Sequence, residues 1–256
     1  MALAKAVVGQ LVKRPAPLNG PLNGPLNGLV KQSNPPLESG DRLTRAEFER
    51  RYNAMPPHIR AELIEGVVYM SSPVRHKFHG KPQGRLVHSV VEYADYTDGT
   101  EYSDNATVRL DLSNEPQPDV MLFLGQSLSE QISETADGYL EGAPELVVEI
   151  AASTASVDLH AKFRAYRRNR VQEYIVWRVL DGEIDWFSWQ DEQYVPLPMD
   201  DKGVARSRVF PGLWLNVKAL HNGEVTKVRE TLRQGIKSKE HAAFVRELKR
   251  RAQAKR

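Results

Sequence analysis

Two acidic residues stand where their type and placement could do chemistry. Asp119 follows Pro118 at the head of the apolar run PDVMLFL (118–124), and Glu149 sits inside ELVVEI (145–150). A carboxylate left unpaired inside a buried strand costs several kcal/mol or neutralises itself, so something must face Glu149. Both runs are short and nearly continuous in apolar residues, the pattern of central strands covered on two faces. Period-two alternation puts Glu149 on one face with Val147 and Ala151. If the strands pair, both carboxylates converge at one end of the sheet, where they repel unless a cation lies between them. Oxygen-only ligation suits Mg²⁺ or Mn²⁺, and the carbonyl of Ile150 could add an oxygen. Such a cation acidifies water and offsets charge on a phosphoryl oxygen, the ingredients of phosphodiester hydrolysis.

Asp158 and Lys162 lie four apart at the start of a helical pattern. Lys162 could hold a scissile phosphate or help deprotonate the attacking water. Arg164, Arg167, Arg168 and Arg170 follow it, a credible phosphate-binding surface. Plainer readings compete. An Asp after Pro is common turn chemistry. Glu149 could pair with a buried arginine. Asp158 and Lys162 could be a surface ion pair contributing a few tenths of a kcal/mol, and the arginines one solvated helix face. Spacing alone leaves both sets open.

The positioning elements follow from pattern. Thr44 and Glu47 have capping-box spacing for a short helix reaching about Asn53. AELIEGVVYMS reads as two strands around Glu65-Gly66. Residues 79–96 have helical spacing, with Pro82 tolerable only in the first turn. A strand is expected over 101–111, a polar loop over 125–142 and a helix over 155–169. QEYIVWRVL and EIDWFSW form a hairpin across Asp181-Gly182. Val225, Val228, Leu232 and Ile236 make one stripe of an amphipathic tail helix. Strands with flanking helices imply a mixed α/β sheet domain.

Composition sets the boundaries. The chain has 256 residues, 41% hydrophobic and 27% charged, as in ordinary soluble globular proteins. It has 0 cysteines, which excludes disulfides and thiolate metal sites and makes a reducing, cytoplasmic setting the expectation. No apolar run reaches the roughly 18 residues of a membrane span, and the N-terminus lacks the pattern of a signal peptide. The net charge of +2 is unevenly spread. Residues 222–256 carry 11 Lys/Arg against 4 Asp/Glu, whereas residues 41–221 carry 20 against 28. The reading is therefore a flexible arm over 1–40 containing PLNGPLNGPLNG, a folded domain over 41–221, and a basic helical tail over 222–256.

The residues also resemble a known family. A PD at the head of one strand and an acid on the next resemble the PD-(D/E)XK nuclease superfamily. The wider series is more specific: ELIEGVVYMSSP (62–73), HGKPQGRL (79–86), PDVMLFL, GYLEGAPELVVEIAAST (138–154), DLHAKFRAYRRNRVQEYIVW (158–177) and VFPGLWLNVKAL (209–220). In this order and spacing they resemble the Uma-two family of restriction-endonuclease-like proteins, over roughly residues 41–221. The resemblance implies a restriction-endonuclease-like mixed β-sheet core flanked by helices, and metal-dependent endonuclease activity. Asp119 matches the PD acid and Glu149 the second acid, both as metal ligands. The superfamily's strand lysine would fall at Ala151, and Lys162 matches its displaced position on the following helix. Glu62 matches an acid of the first hairpin, and His79 matches the family histidine by its spacing to Gly84-Arg85-Leu86, with His76 competing. AAST after Glu149 departs from the family's usual turn.

The expectation is a Mg²⁺- or Mn²⁺-dependent DNA endonuclease in which Asp119, Glu149, Lys162 and Glu62 are catalytic and Arg164, Arg167 and Arg168 bind phosphate. His79 and Asp158 would support these groups from behind. DNA is the expected partner, with no membrane and with a homodimer left open. The alternative is a non-catalytic nucleic-acid-binding or protein-interaction module on the same fold.

Overall fold

The computed structural model describes residues 34–255, so the PLNG repeats expected to form a flexible arm lie outside the described residues. The chain runs through α1 (Arg45–Tyr52), β1 (Ala61–Ile64), β2 (Val67–Met70), a π-helical turn (His76–Gly80), α2 (Lys81–Asp95), β3 (Thr100–Asp104), β4 (Val108–Arg109) and β5 (Val120–Leu124). It continues through β6 (Ile132–Glu134), β7 (Leu140–Gly142), β8 (Leu146–Ala151), α3 (Ala155–Val157), a second π-helical turn (Asp158–Lys162), α4 (Phe163–Arg168), β9 (Glu173–Arg178) and β10 (Glu183–Gln190). β11 (Gln193–Pro196), β12 (Val204–Arg206), β13 (Trp214–Asn216), α5 (Val217–Asn222), α6 (Val225–Ile236) and α7 (Lys239–Ala254) complete it.

Local chemistry sets several of these boundaries. The Thr44 side chain accepts from the Glu47 amide at 3.4 Å and caps α1. Glu65 and Gly66 have φ of 52° and 74°, the left-handed pair that lets β1 and β2 fold back in a two-residue turn. Pro82 sits in the first turn of α2, where its missing N–H costs nothing.

Six strands form the central sheet in the order β11-β10-β9-β8-β5-β3. β8 and β9 are parallel and every other neighbouring pair is antiparallel. The parallel pair requires a crossover, and residues 155–168 supply it as a helix broken by the π-helical turn. One face of the sheet carries the larger core, where Val120, Leu122, Val148 and Ile150 pack with Leu86, Val90 and Tyr93 of α2. On the opposite face Met121, Val147 and Ala151 pack under Tyr166 and Tyr174. Each strand thus gives alternate residues to the two faces.

Three expectations change. The strand expected over 101–111 is two strands in different sheets, because the chain turns at Asn105, whose φ is 53°. The loop expected over 125–142 contains β6 and β7, which join β4 in a small sheet of 3 strands. The basic C-terminal helix expected after residue 222 is two helices: the amphipathic stripe lies on α6 as its spacing implies, with Val228 and Leu232 inside the larger core, and α7 follows as a further helix. Among the described residues, no helix is long and apolar enough to cross a membrane.

Candidate active site

β5 and β8 bring the two carboxylates together. Val120 lies opposite Val148 in the antiparallel register, so Asp119 stands opposite Glu149 one rung further, on the same face. The Asp119 carboxylate is fixed by the strand it faces, since its Oδ2 accepts from the Ile150 amide at 2.6 Å. Both residues are buried.

The crossover helix delivers a cation to them. Asp158, Lys162 and Tyr166 are spaced four apart and face the sheet. Lys162 Nζ lies 2.8 Å from Glu62 Oε1 and 2.9 Å from Glu149 Oε1, with Asp158 Oδ1 at 3.9 Å. The Tyr166 hydroxyl donates to the same Glu149 oxygen at 2.8 Å. Glu149 Oε2 accepts no hydrogen bond among the described residues. The Thr154 hydroxyl donates to Asp158 Oδ2 at 2.6 Å, and the Gln117 amide donates to Glu62 Oε1 at 2.7 Å. Glu62 comes from β1 and so ties the first hairpin to the helix. Ala151, where the resemblance would put a strand lysine, is buried in the core.

His79 arrives from the other π-helical turn, and its Nε2 lies 3.1 Å from Asp119 Oδ1. His79, rather than His76, is therefore the histidine at this site. His79 Nδ1 is buried without a partner among the described residues. Both π-helical turns thus end at the carboxylate pair, and such wide turns are frequent at functional sites.

Burial pushes the Glu149 carboxyl well above the usual carboxylate range. Lys162 opposes this, while Asp158, Asp119 and Glu62 add to it. Asp158 is pushed up to about 6, first by burial, with Lys162 and the Thr154 hydroxyl opposing. Burial alone would lower Lys162, but Glu149, Glu62 and Asp158 outweigh it and hold its ammonium well above the usual lysine value. The hydrogen bond to Asp119 raises His79 against the effect of burial. Four carboxyl groups therefore share one ammonium and one imidazole in a poorly solvated place, more acid groups than counter-charge, which favours keeping a proton among them.

These groups line a cleft of about 820 Å³. Asp119, Glu149, Glu62, Asp158, Lys162 and His79 all reach it, so six of the sequence-derived candidates converge. The arginines behave differently. The helical phase that turns Lys162 and Tyr166 inward turns Arg164, Arg167 and Arg168 outward. Arg164 pairs with Glu65 at 2.5 Å, Arg168 with Asp111 at 3.1 Å, and Arg167 donates to Gln193 at 2.8 Å. The cations that do line the cleft besides Lys162 are Arg60 and Arg75, on loops without a periodic signal. Tyr166 and Thr154 were also missed, although each continues the spacing of four through Asp158 and Lys162. Among the described residues, no three His, Asp or Glu side chains converge in an arrangement that could hold a metal ion.

Comparison with known proteins adds the lineage. The family model Uma2, described as "Putative restriction endonuclease", matches residues 45–218. The chain belongs to this family. A solved structure of a putative nuclease belonging to DUF820 from Anabaena variabilis ATCC 29413 superposes with a TM-score of 0.50. Its sequence is 14% identical, and the match covers 68% of this chain and 96% of that one, so the likeness is one of fold. No curated protein matches the chain. The Uma2 match spans α1 through the first residues of α5, and so contains every group at the cleft.

Proposed function

We propose that the Uma2 cleft hydrolyses phosphodiester bonds of DNA as a Mg²⁺- or Mn²⁺-dependent endonuclease. The observation that carries the reading is the reach of Lys162 from the helix to Glu149 and Glu62, beside Asp119. It supplies the ammonium that Ala151 cannot.

With no three-ligand arrangement among the described residues, the fit to a hard divalent cation rests on the Asp119–Glu149 pair alone. The groups are oxygen donors in excess of their counter-charge, and the free Oε2 of Glu149 and the Asp119 carboxylate share one edge of the cleft. With two protein carboxylates the rest of the ligand sphere would be water and substrate oxygen, the usual mode for Mg²⁺. When bound, such an ion makes water more acidic and offsets charge on a phosphoryl oxygen. Asp119 and Glu149 would hold it. Lys162, kept protonated by its three acids, would bind a phosphoryl oxygen and orient the attacking water. Glu62 and Asp158 would hold Lys162 in place, and His79 would fix the rotamer of Asp119. Arg60 and Arg75 would take neighbouring phosphates, a role the outward Arg164, Arg167 and Arg168 could serve only for DNA wrapping beyond the cleft.

One observation favours a second, non-catalytic reading. Glu62, Glu149 and Lys162 already satisfy one another, as a purely structural ion-pair network would. Nicking of supercoiled plasmid and of single-stranded DNA in Mg²⁺, Mn²⁺ or EDTA separates the two. Metal-dependent nicking that Asp119→Asn and Lys162→Met each lower by about 10²-fold or more supports the enzyme. Binding without cleavage by any form supports the module.

A further inference from the structure

The cleft shares a wall with a second cavity. The turn His76–Gly80 puts Phe78 and His79 on the cleft, and His76 and Gly80 on a separate cavity of about 320 Å³ between α2 and the α5–α6 segment. Leu220 and Val228, both buried, floor this cavity, and Lys81, Arg85 and Arg229 stand around it. Among the described residues none of these three cations has an ion-pair partner. That contrasts with Arg178, which holds three carboxylates. With no carboxylate paired to them among the described residues, these three cations are free to meet an anion at the cavity.

Two glycines point the same way. Gly84 lies inside α2, where glycine costs about 1 kcal/mol relative to alanine. Other glycines have a packing reason: a Cβ at Gly99 would come within 2.5 Å of Leu128, and one at Gly142 within 1.8 Å of the Gln131 carbonyl. A Cβ at Gly84 would meet nothing within 4 Å, and the same holds at Gly80, one turn earlier. Neither residue has a positive φ. The fold needs neither glycine, yet together they leave bare helix backbone on the cavity wall.

We propose that this cavity is a nucleotide subsite for the strand whose phosphodiester lies in the cleft. A base packs on Leu220 and Val228 against the bare backbone of Gly80 and Gly84, and its flanking phosphates meet Lys81, Arg85 and Arg229. An apolar hollow with unpaired cations around it matches a base, which is apolar on its faces, carrying phosphates. Free phosphate would leave the apolar floor unused, and a lipid tail would leave the cations unused. The inference rests on the phosphodiester reading of the cleft but is tested without cleavage.

The test is fluorescence anisotropy of a labelled single-stranded oligonucleotide in EDTA, with the full chain as wild type, Lys81→Glu/Arg229→Glu and Gly84→Ala. The double variant is expected to bind at least about tenfold more weakly, and its salt slope to fall by about 1.4, or 0.7 for each lost phosphate contact. Gly84→Ala is expected to raise Tm through helix propensity while weakening binding about threefold. A merely structural glycine would raise Tm and leave binding unchanged, and that result overturns the subsite. So does unchanged affinity in the double variant, or a wild type that binds no oligonucleotide. Loss of a polyglutamate peptide with oligonucleotide binding intact would give the cavity to a protein partner, and also overturns it. The two readings fail separately: binding lost in the double variant without metal-dependent nicking by wild type removes the nuclease and keeps the subsite. Nicking by wild type with binding unchanged in the double variant does the reverse.

Discussion

Glu149 and Glu173 are buried glutamates on adjacent parallel strands, and their surroundings differ in kind. Glu173 is saturated. Its Oε1 accepts from the Arg208 and Val209 amides at 2.7 and 3.3 Å, and its Oε2 from Ser207 and Trp186 at 2.8 and 3.1 Å. Burial still pushes its carboxyl up, against those four donors. It ties the loop after β12 to the sheet and has no capacity left. Glu149 has a lysine and a tyrosine on one oxygen, none on the other, and three further carboxylates nearby. Glu173 is closed by neutral donors, as a structural carboxylate is, whereas the role proposed for Glu149 rests on its open oxygen and on the carboxyl groups crowded beside it at the cleft.

Lys162→Met should have the largest effect on stability. It removes the ammonium from among Glu62, Glu149 and Asp158 and leaves buried charge uncompensated, a loss of about 3–5 kcal/mol at neutral pH by urea denaturation. A smaller loss would mean the acids are better solvated than their burial implies, and would blur the contrast.

A third buried glutamate, Glu115, extends the comparison because its shell is not saturated and the nearby Arg109 and Arg45 only partly oppose its burial. Its Oε2 finds no partner among the described residues, and burial followed by neighbouring Glu49 pushes its carboxyl up to about 8. The folded state therefore holds a proton that the unfolded chain releases near 4.5. Stability must fall as pH rises between these values and level off above about 8, a loss on the order of 2–4 kcal/mol. Glu115→Gln should flatten that part of a Tm-against-pH curve. An unchanged curve would place the titration elsewhere.

Glu173→Gln puts an amide NH₂ against donors that need acceptors, a loss of about 2–3 kcal/mol. Any cleavage by the folded fraction should keep its kcat, and a kcat loss matching that of the Lys162 variant would break the division between the two glutamates. The smallest change is Tyr166→Phe, which removes one hydrogen bond to Glu149. We expect about 1 kcal/mol and a shift of several-fold in cleavage rate.

The contrast also explains what the sequence could reveal. Glu149, Asp119 and Lys162 were legible because a strand acid, a Pro-Asp strand head and a helical i, i+4 pair each leave a local pattern. The hairpins at Glu65-Gly66 and Asp181-Gly182 were legible from their turn chemistry. The direction of the arginines was not. A run rich in arginine looks like one surface until the helix phase is fixed by what Lys162 and Tyr166 pack against. The π-helical turns were hidden for the same reason, since a single extra residue in a turn leaves hydrophobic spacing almost unchanged. Arg60 and Arg75 come from loops whose path depends on the whole fold. Glu173 shows the converse: its acid in a strand looked no different from Glu149, and only the loop at 207–209, far along the chain, closes it.

The most direct measurement is a titration of the full chain with Mn²⁺ by calorimetry, for wild type, Glu149→Gln and Glu173→Gln. One Mn²⁺ site is expected in wild type and in Glu173→Gln and its loss in Glu149→Gln, with circular dichroism showing each variant folded. Equal Mn²⁺ binding by wild type and folded Glu149→Gln would contradict that expectation, and would make Glu149 a structural residue like its neighbour.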